Sequence, residues 1–218
     1  MSLSARSTSR LLPCVVVAML LNGCGPDFAG TANLGSTGSN IVCFGDSITR
    51  GYGASAGMSY PDQLGALIGR PVINSGMDGD TTGSALARLE EDVLAQDPWI
   101  VVVSLSGNDF LRRVPESETA RNLDTIVSRC IDAGAIVVLV HAKFGILGSD
   151  PYFDVFEATA DRHDAVLVRH VLKGILGNPA RMYDQVHPND DGYALIAERV
   201  AEVLGPLTAA AEKARGDA

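Results

Sequence analysis

Apolar residues along this chain fall into two rhythms. Short runs of strand length lie at Ile41 to Phe44, Val72 to Asn74, Ile100 to Leu105, Ala135 to Val140 and Ala165 to Val168. None shows strict polar alternation, the pattern of strands covered on both faces of a parallel sheet. Between them apolar residues recur at helical spacing. Leu86, Leu89, Val93 and Leu94 form one stripe, and Leu123, Ile126, Val127, Cys130 and Ile131 form a second, with Gly134 placed to close it. Tyr193, Ile196, Val200, Val203, Leu204 and Leu207 share one face of a last helix. Strand–helix alternation predicts right-handed βαβ units and a three-layer α/β/α sandwich. A chain of 218 residues suffices for one such domain, assigned to residues 40–208.

The flanks differ. Arg6 and Arg10 precede an apolar run of 11 residues, Leu11 to Leu21. A bilayer span needs roughly 20 residues, so residues 1–23 fit a secretory signal instead. The run ends in Leu21-Asn22-Gly23-Cys24, which resembles the lipobox of bacterial lipoproteins. That resemblance implies cleavage before Cys24, lipid attachment to its thiol, export from a bacterial cytoplasm and a membrane association through the anchor alone. An ordinary signal with an incidental cysteine is the alternative. Residues 24–39 are rich in Gly, Ser, Thr and Asn, with Phe28 and Leu34 the only large apolar side chains, and read as a flexible linker. Residues 209–218 read as an Ala-rich, fraying tail.

Composition narrows the partners. Hydrophobic residues make up 46% and charged residues 20%, the balance of a folded globular chain. Net charge is −9, and −11 once Arg6 and Arg10 leave with the signal. With no basic cluster to offset it, such a surface repels phosphate backbones, so nucleic acid is excluded as a partner. Cys43 and Cys130 remain in the domain and read as buried thiols, whose pairing the sequence leaves open. No two Cys or His show metal-ligand spacing, and neither metal nor cofactor is expected.

In an open parallel sheet, ligands bind beyond the carboxyl ends of the strands. After the first strand stands Gly45-Asp46-Ser47, after the second Gly76 through Thr81, and after the third Ser106-Gly107-Asn108-Asp109. Ahead of the last helix stands Asp184-Gln185-Val186-His187-Pro188-Asn189. Acyl transfer needs a nucleophile, a base, a group to orient the base and donors for an oxyanion. Ser47 at the start of a helical turn, His187 with Asp184 three residues earlier, the Gly79 N–H and the Asn108 amide supply those parts. Asp46 is expected to hold the Ser47 turn, Asp109 to order its own loop, and Asn189 or Asp190 to cap the last helix. His141 either lines the cleft or packs away, while His163 and His170 show no partner. Phe144, Ile146, Leu147, Tyr152 and Phe153 form either a lid or a satellite cluster beneath a loop.

Gly45-Asp46-Ser47, Gly79-Asp80-Thr81, Gly107-Asn108-Asp109 and Asp184-x-x-His187-Pro188-Asn189 resemble the four blocks of the SGNH (GDSL) hydrolase family. Gly51-Tyr52-Gly53, Tyr60-Pro61, Leu86-Ala87-Arg88-Leu89 and Pro98-Trp99 are similar to its bacterial thioesterase, lysophospholipase and arylesterase branch. The likeness runs from about Asn40 to Leu207. It implies a flavodoxin-like five-stranded parallel sheet, Ser47 as nucleophile, Asp184 and His187 completing a triad, and Gly79 and Asn108 as oxyanion donors. It departs at Ser106, where the branch often has Gly, and over Lys143 to Tyr152. Three functions stay in play. They are hydrolysis of esters or thioesters of small lipophilic substrates, deacetylation of carbohydrate, and non-catalytic ligand binding by a lipoprotein.

Overall fold

The computed structural model describes residues 26–143 and 151–216. Five parallel strands form one sheet in the order β2-β1-β3-β4-β5: β1 (Asn40–Gly45), β2 (Val72–Gly76), β3 (Pro98–Ser104), β4 (Ile136–Val140) and β5 (Val166–Val168). The connecting helices are α1 (Ser47–Arg50), α2 (Tyr60–Ile68), α3 (Thr82–Asp92), α4 (Gly107–Arg112), α5 (Glu116–Asp132), α6 (Pro151–Arg162) and α7 (Asp190–Gly216). The sandwich and the five-stranded sheet are as the sequence predicts.

Alternate residues of each strand feed two separate cores. Ile41, Cys43, Ile100, Val102, Ile136 and Val138 pack with Tyr60 and Leu64 of α2 and with Ile196, Val200 and Leu204 of α7. Val42, Phe44, Val101, Val103, Val137 and Leu139 pack with Leu89 of α3, Leu123, Ile126 and Val127 of α5, and Phe156 of α6. Each fully buried aliphatic side chain contributes roughly 1.5–3 kcal/mol, which is why the central β3 and β4 are buried and apolar almost throughout, whereas β2 at the sheet edge carries Asn74 and Ser75. Gly134 closes α5 with φ +87°, its N–H donating to Ile131 O at 2.8 Å. Cys43 and Cys130 are free, buried in opposite cores, and burial pushes each thiol up to about 12.

Register sets the level of the functional edge. Gly45 pairs with Gly76 on one side and Ser104 on the other, so β1, β2 and β3 end together. A side chain on Gly45 would collide with Thr49 and the Ser104 carbonyl, so glycine is what lets α1 close against the sheet there.

Both flanks differ from their sequence reading. Residues 28–39 are no free linker. Phe28 is buried in the core, the Ala32 N–H donates to Asp164 O at 3.0 Å, and the Asn33 amide donates to Ile131 O and Ala135 O at 2.8 and 3.0 Å. Small polar side chains satisfy backbone groups here, so a composition typical of linkers hides an ordered segment. The tail beyond Leu207 continues α7 to Gly216, with Ala211 buried. Arg215 holds it, donating to the Ser36 and Gly38 carbonyls with its guanidinium 4.2 Å from the Trp99 ring centroid. Residues 1–25, with Cys24, and residues 144–150, with Phe144, Ile146 and Leu147, lie outside the described residues.

Candidate active site

The turn after β1 is built by Asp46. Its buried carboxylate accepts the Ile48 N–H at 3.0 Å and caps α1, leaving Ser47 as the first helical residue. Burial is the main reason its carboxyl rises to about 7; the Ile48 N–H and His187 oppose the shift, while Asp80 and Asp109 add to it. Holding the turn is the role expected of Asp46.

His187 reaches Ser47 across 140 residues of sequence, with Ser47 Oγ 3.0 Å from Nε2. His187 Nδ1 stands 2.8 Å from Asp184 Oδ2. The other Asp184 oxygen accepts the N–H groups of Val186 and His187 at 2.8 and 2.7 Å, so aspartate and histidine share one closed turn. Slight burial works against ionisation of Asp184, but the His187 N–H, its imidazole and the Val186 N–H outweigh it and lower its pKa. An ionised carboxylate at Nδ1 fixes the tautomer that leaves Nε2 as the acceptor facing Ser47. Asn189 caps α7, its side chain accepting the Gly192 N–H at 3.1 Å, and so anchors the end of this turn.

The two remaining predicted residues meet through Asp80. The Asn108 amide donates one hydrogen to Asp80 O at 2.9 Å, and its second hydrogen is available to a ligand. Gly79, at φ +78°, accepts from Arg112 at 2.7 Å through its carbonyl. A cavity of about 110 Å³ beside Ser47 and His187 is lined by Ile48, Gly107, Asn108, Leu111 and Val186. Gly79 is not part of that lining; the residue after it, Asp80, is what Asn108 binds. Ser106, noted above as a departure, holds φ +106° while buried, a conformation that favours glycine.

Other residues fall differently from their sequence reading. Asp109 does not merely order its own loop. Fully buried, it accepts the Thr82 N–H and hydroxyl at 2.9 and 2.6 Å and the Thr119 hydroxyl at 2.9 Å, fastening α3 and α5 to the third site loop. His141 packs against Phe153, Phe156 and His170, with ring centroids 5.2 to 5.3 Å apart. Tyr152 and Phe153 belong to α6; Tyr152 is buried and donates to Val114 O at 3.0 Å. His163 pairs with Asp124 at 2.9 Å. Sequence reasoning gave no role to Tyr52, whose ring lies 4.5 Å from that of His187 and whose carbonyl accepts the Tyr193 hydroxyl at 2.8 Å. No spacing signal could have found it, because the contact joins a loop after α1 to a turn before α7.

Residues 43–195 match the GDSL-like lipase/acylhydrolase family. The chain belongs to that family. An arylesterase of Vibrio mimicus is 32% identical over 174 residues, covering 75% of this chain and 87% of the relative. The thioesterase 1/protease 1/lysophospholipase L1 of Escherichia coli K12 is 29% identical, with 77% and 84% covered. Among solved structures, TesA superposes with a TM-score of 0.72 at 27% identity, over 78% of this chain and 99% of that one. AlinE4, an SGNH-hydrolase family esterase, gives 0.61 at 30% identity, over 82% and 98%. The protein is thus an SGNH hydrolase acting on ester bonds, and the reading as a non-catalytic lipoprotein is not favoured.

Proposed function

We propose that this hydrolase cleaves carboxylic ester or thioester bonds of small lipophilic substrates through an acyl-enzyme on Ser47. The observation behind this reading is the unbroken chain from Asp184 through His187 to Ser47, at 2.8 and 3.0 Å. Ser47 Oγ attacks the acyl carbon as its proton passes to His187 Nε2. The charge developing on the carbonyl oxygen is received by the Ser47 and Gly79 N–H groups and the Asn108 amide. Collapse expels the alcohol or thiol, which takes the proton from Nε2. Water then attacks the acyl-enzyme by the same base, releasing the acid and restoring Ser47. The mostly apolar cavity, and the exposure of Tyr52, Met77, Phe110, Leu111 and Tyr183, favour an apolar substrate.

Deacetylation of carbohydrate is the second reading, because a Geobacillus stearothermophilus relative named acetylxylan esterase is 26% identical over 210 residues. Nitrophenyl esters from acetyl to palmitoyl, acetylated xylan and an acyl-CoA, assayed side by side, separate the two. Turnover of the simple esters, blocked by a fluorophosphonate that labels Ser47 and lowered at least about 10⁴-fold in Ser47→Ala, is the expected result. An unlabelled Ser47, or a Ser47→Ala variant of normal activity, would remove the assignment.

We also propose that Cys24 carries a lipid anchor that holds the exported protein to a membrane on its periplasmic side. Support comes from the 11-residue apolar run and Leu21-Asn22-Gly23-Cys24. Phe28 lies in the core only a few positions further along, which would hold the domain close to the bilayer. A palmitate analogue fed to cells should tag the protein, and Cys24→Ser should abolish the tag; an untagged wild-type protein contradicts the anchor. Stable attachment needs the several acyl chains of a true lipoprotein, since a single chain binds only marginally.

A further inference from the structure

The proposed chemistry gives no role to Arg88. It sits on α3 with its side chain 14% exposed, beside an Asp80 side chain that is 5% exposed. Its Nε donates to Asp80 Oδ2 at 2.6 Å and its Nη1 to Asp92 Oδ2 at 2.7 Å. Its Nη2 donates to two main-chain carbonyls, Gly45 O at 3.1 Å and Ser75 O at 3.0 Å. The guanidinium also lies over Phe44, its carbon 4.5 Å from the ring centroid. Four of the five N–H donors of an arginine are therefore engaged.

The partners belong to different parts of the site. Gly45 ends β1 and leads directly into Asp46 and Ser47. Ser75 lies one residue before the end of β2, whose chain leads on to Gly79. Asp80 follows Gly79; its second carboxylate oxygen accepts from Ser84 at 2.8 Å, and its carbonyl accepts from Asn108. One cation thus joins the segment carrying the nucleophile to the segment carrying an oxyanion donor, and through the Asp80 carbonyl to the second donor.

We propose that Arg88 is a positioning residue that fixes Gly79 and Asn108 relative to Ser47, without itself touching substrate. The inference rests on the proposed function, since it assigns Arg88 to the oxyanion donors named there. Such donors stabilise a transition state only if they are aimed before the charge appears. A displacement of about 1 Å can cost on the order of 10²-fold in rate. A planar guanidinium spans a carboxylate on one edge and two carbonyls on another, whereas the compact ammonium of lysine cannot reach all of them. Burying an ion pair is a poor route to stability, because desolvation opposes the attraction. Four directed bonds do, however, hold three chain segments in one arrangement.

The test compares Arg88→Lys, Asp80→Ala, Asn108→Ala and the double variant Arg88→Lys/Asn108→Ala, with melting temperature, kcat and KM measured on each. A trifluoromethyl ketone, which adds to the serine as an oxyanion, supplies a readout that mere loosening of the fold does not move. Arg88→Lys should lower kcat by roughly 10–100-fold with KM within about threefold, and ketone affinity should fall in parallel. The double variant should lose less than the product of the two single losses, because both act on one group of donors. A folded Arg88→Lys protein with kcat and ketone affinity within about threefold of wild type overturns the proposal, as does a fully multiplicative double variant. If Arg88→Lys does not fold, Asp80→Ala severs the same link while leaving Arg88 on Asp92 and the two carbonyls, and normal kcat there also overturns it. Ser47→Ala separates the two readings. If Ser47→Ala remains active, the proposed function itself fails; if it is inactive while Arg88→Lys is normal, only the role of Arg88 fails.

Discussion

The two ends of the sheet are held by the same kinds of bond to opposite effect. At the amino end, the Trp99 ring is met by the guanidinium groups of Arg70 and Arg215, at 5.3 and 4.2 Å from its centroid, and Asn33 and Arg215 bind main-chain carbonyls. Those contacts close the protein's base, tying residues 28–39 and the end of α7 to the body. At the carboxyl end the carboxylates of Asp46, Asp80 and Asp109 are buried and each is met by protein donors. There the bonds orient groups that meet a substrate, and burial carries a cost, visible in the raised carboxyl of Asp46. A contact's chemistry does not tell its purpose; its place relative to the strand ends does.

Substitutions at each end should separate stability from turnover, and the largest effect is expected at the base. Trp99→Ala removes a buried ring and should cost about 3–5 kcal/mol in stability, with kcat of the folded protein within about twofold. A matching loss of kcat would show that the base also shapes the site. At the opposite end Asn108→Ala should lower kcat by roughly 10²–10³, about 3–4 kcal/mol, with KM little changed. Because that amide also holds Asp80 O, melting temperature should fall slightly, by what one hydrogen bond of about 1 kcal/mol allows. Unfolding with near-normal kcat would instead place Asn108 with the residues that only hold the fold.

The smallest expected effect comes from charge. Asp46 binds its proton more tightly folded, at about 7, than unfolded, at 3.8. From about pH 4 to 7 the unfolded chain therefore releases that proton first, and stability falls as pH rises through this window. Asp46→Asn keeps an oxygen for the Ile48 N–H but has nothing to ionise. The variant should gain on wild type by roughly 2–3 kcal/mol between pH 5 and 8, read from urea midpoints. A difference that does not change with pH would mean that Asp46 is uncharged, or solvated, throughout.

Sequence alone determined the layers, the strands and the four segments that bear the chemistry. Strands covered on both faces must be apolar throughout, and in a parallel sheet functional residues gather where strands end, so both leave a local trace in residue order. Ser47 and the Asp184–His187 turn were legible for that reason. Tertiary structure decided what depends on contacts between distant segments. Asn33 reads as linker until its amide meets carbonyls of residues 131 and 135. The Ala-rich end of α7 reads as a frayed tail until Arg215 reaches Trp99 and the Ser36 and Gly38 carbonyls. Asp109 reads as a turn residue until two threonines from other helices bind it. For Arg88, only the level ends of β1 and β2, set by the Gly45–Gly76 pairing, bring two carbonyls within reach of its guanidinium. Such contacts join residues far apart in the chain, and no periodicity or spacing along the sequence encodes them.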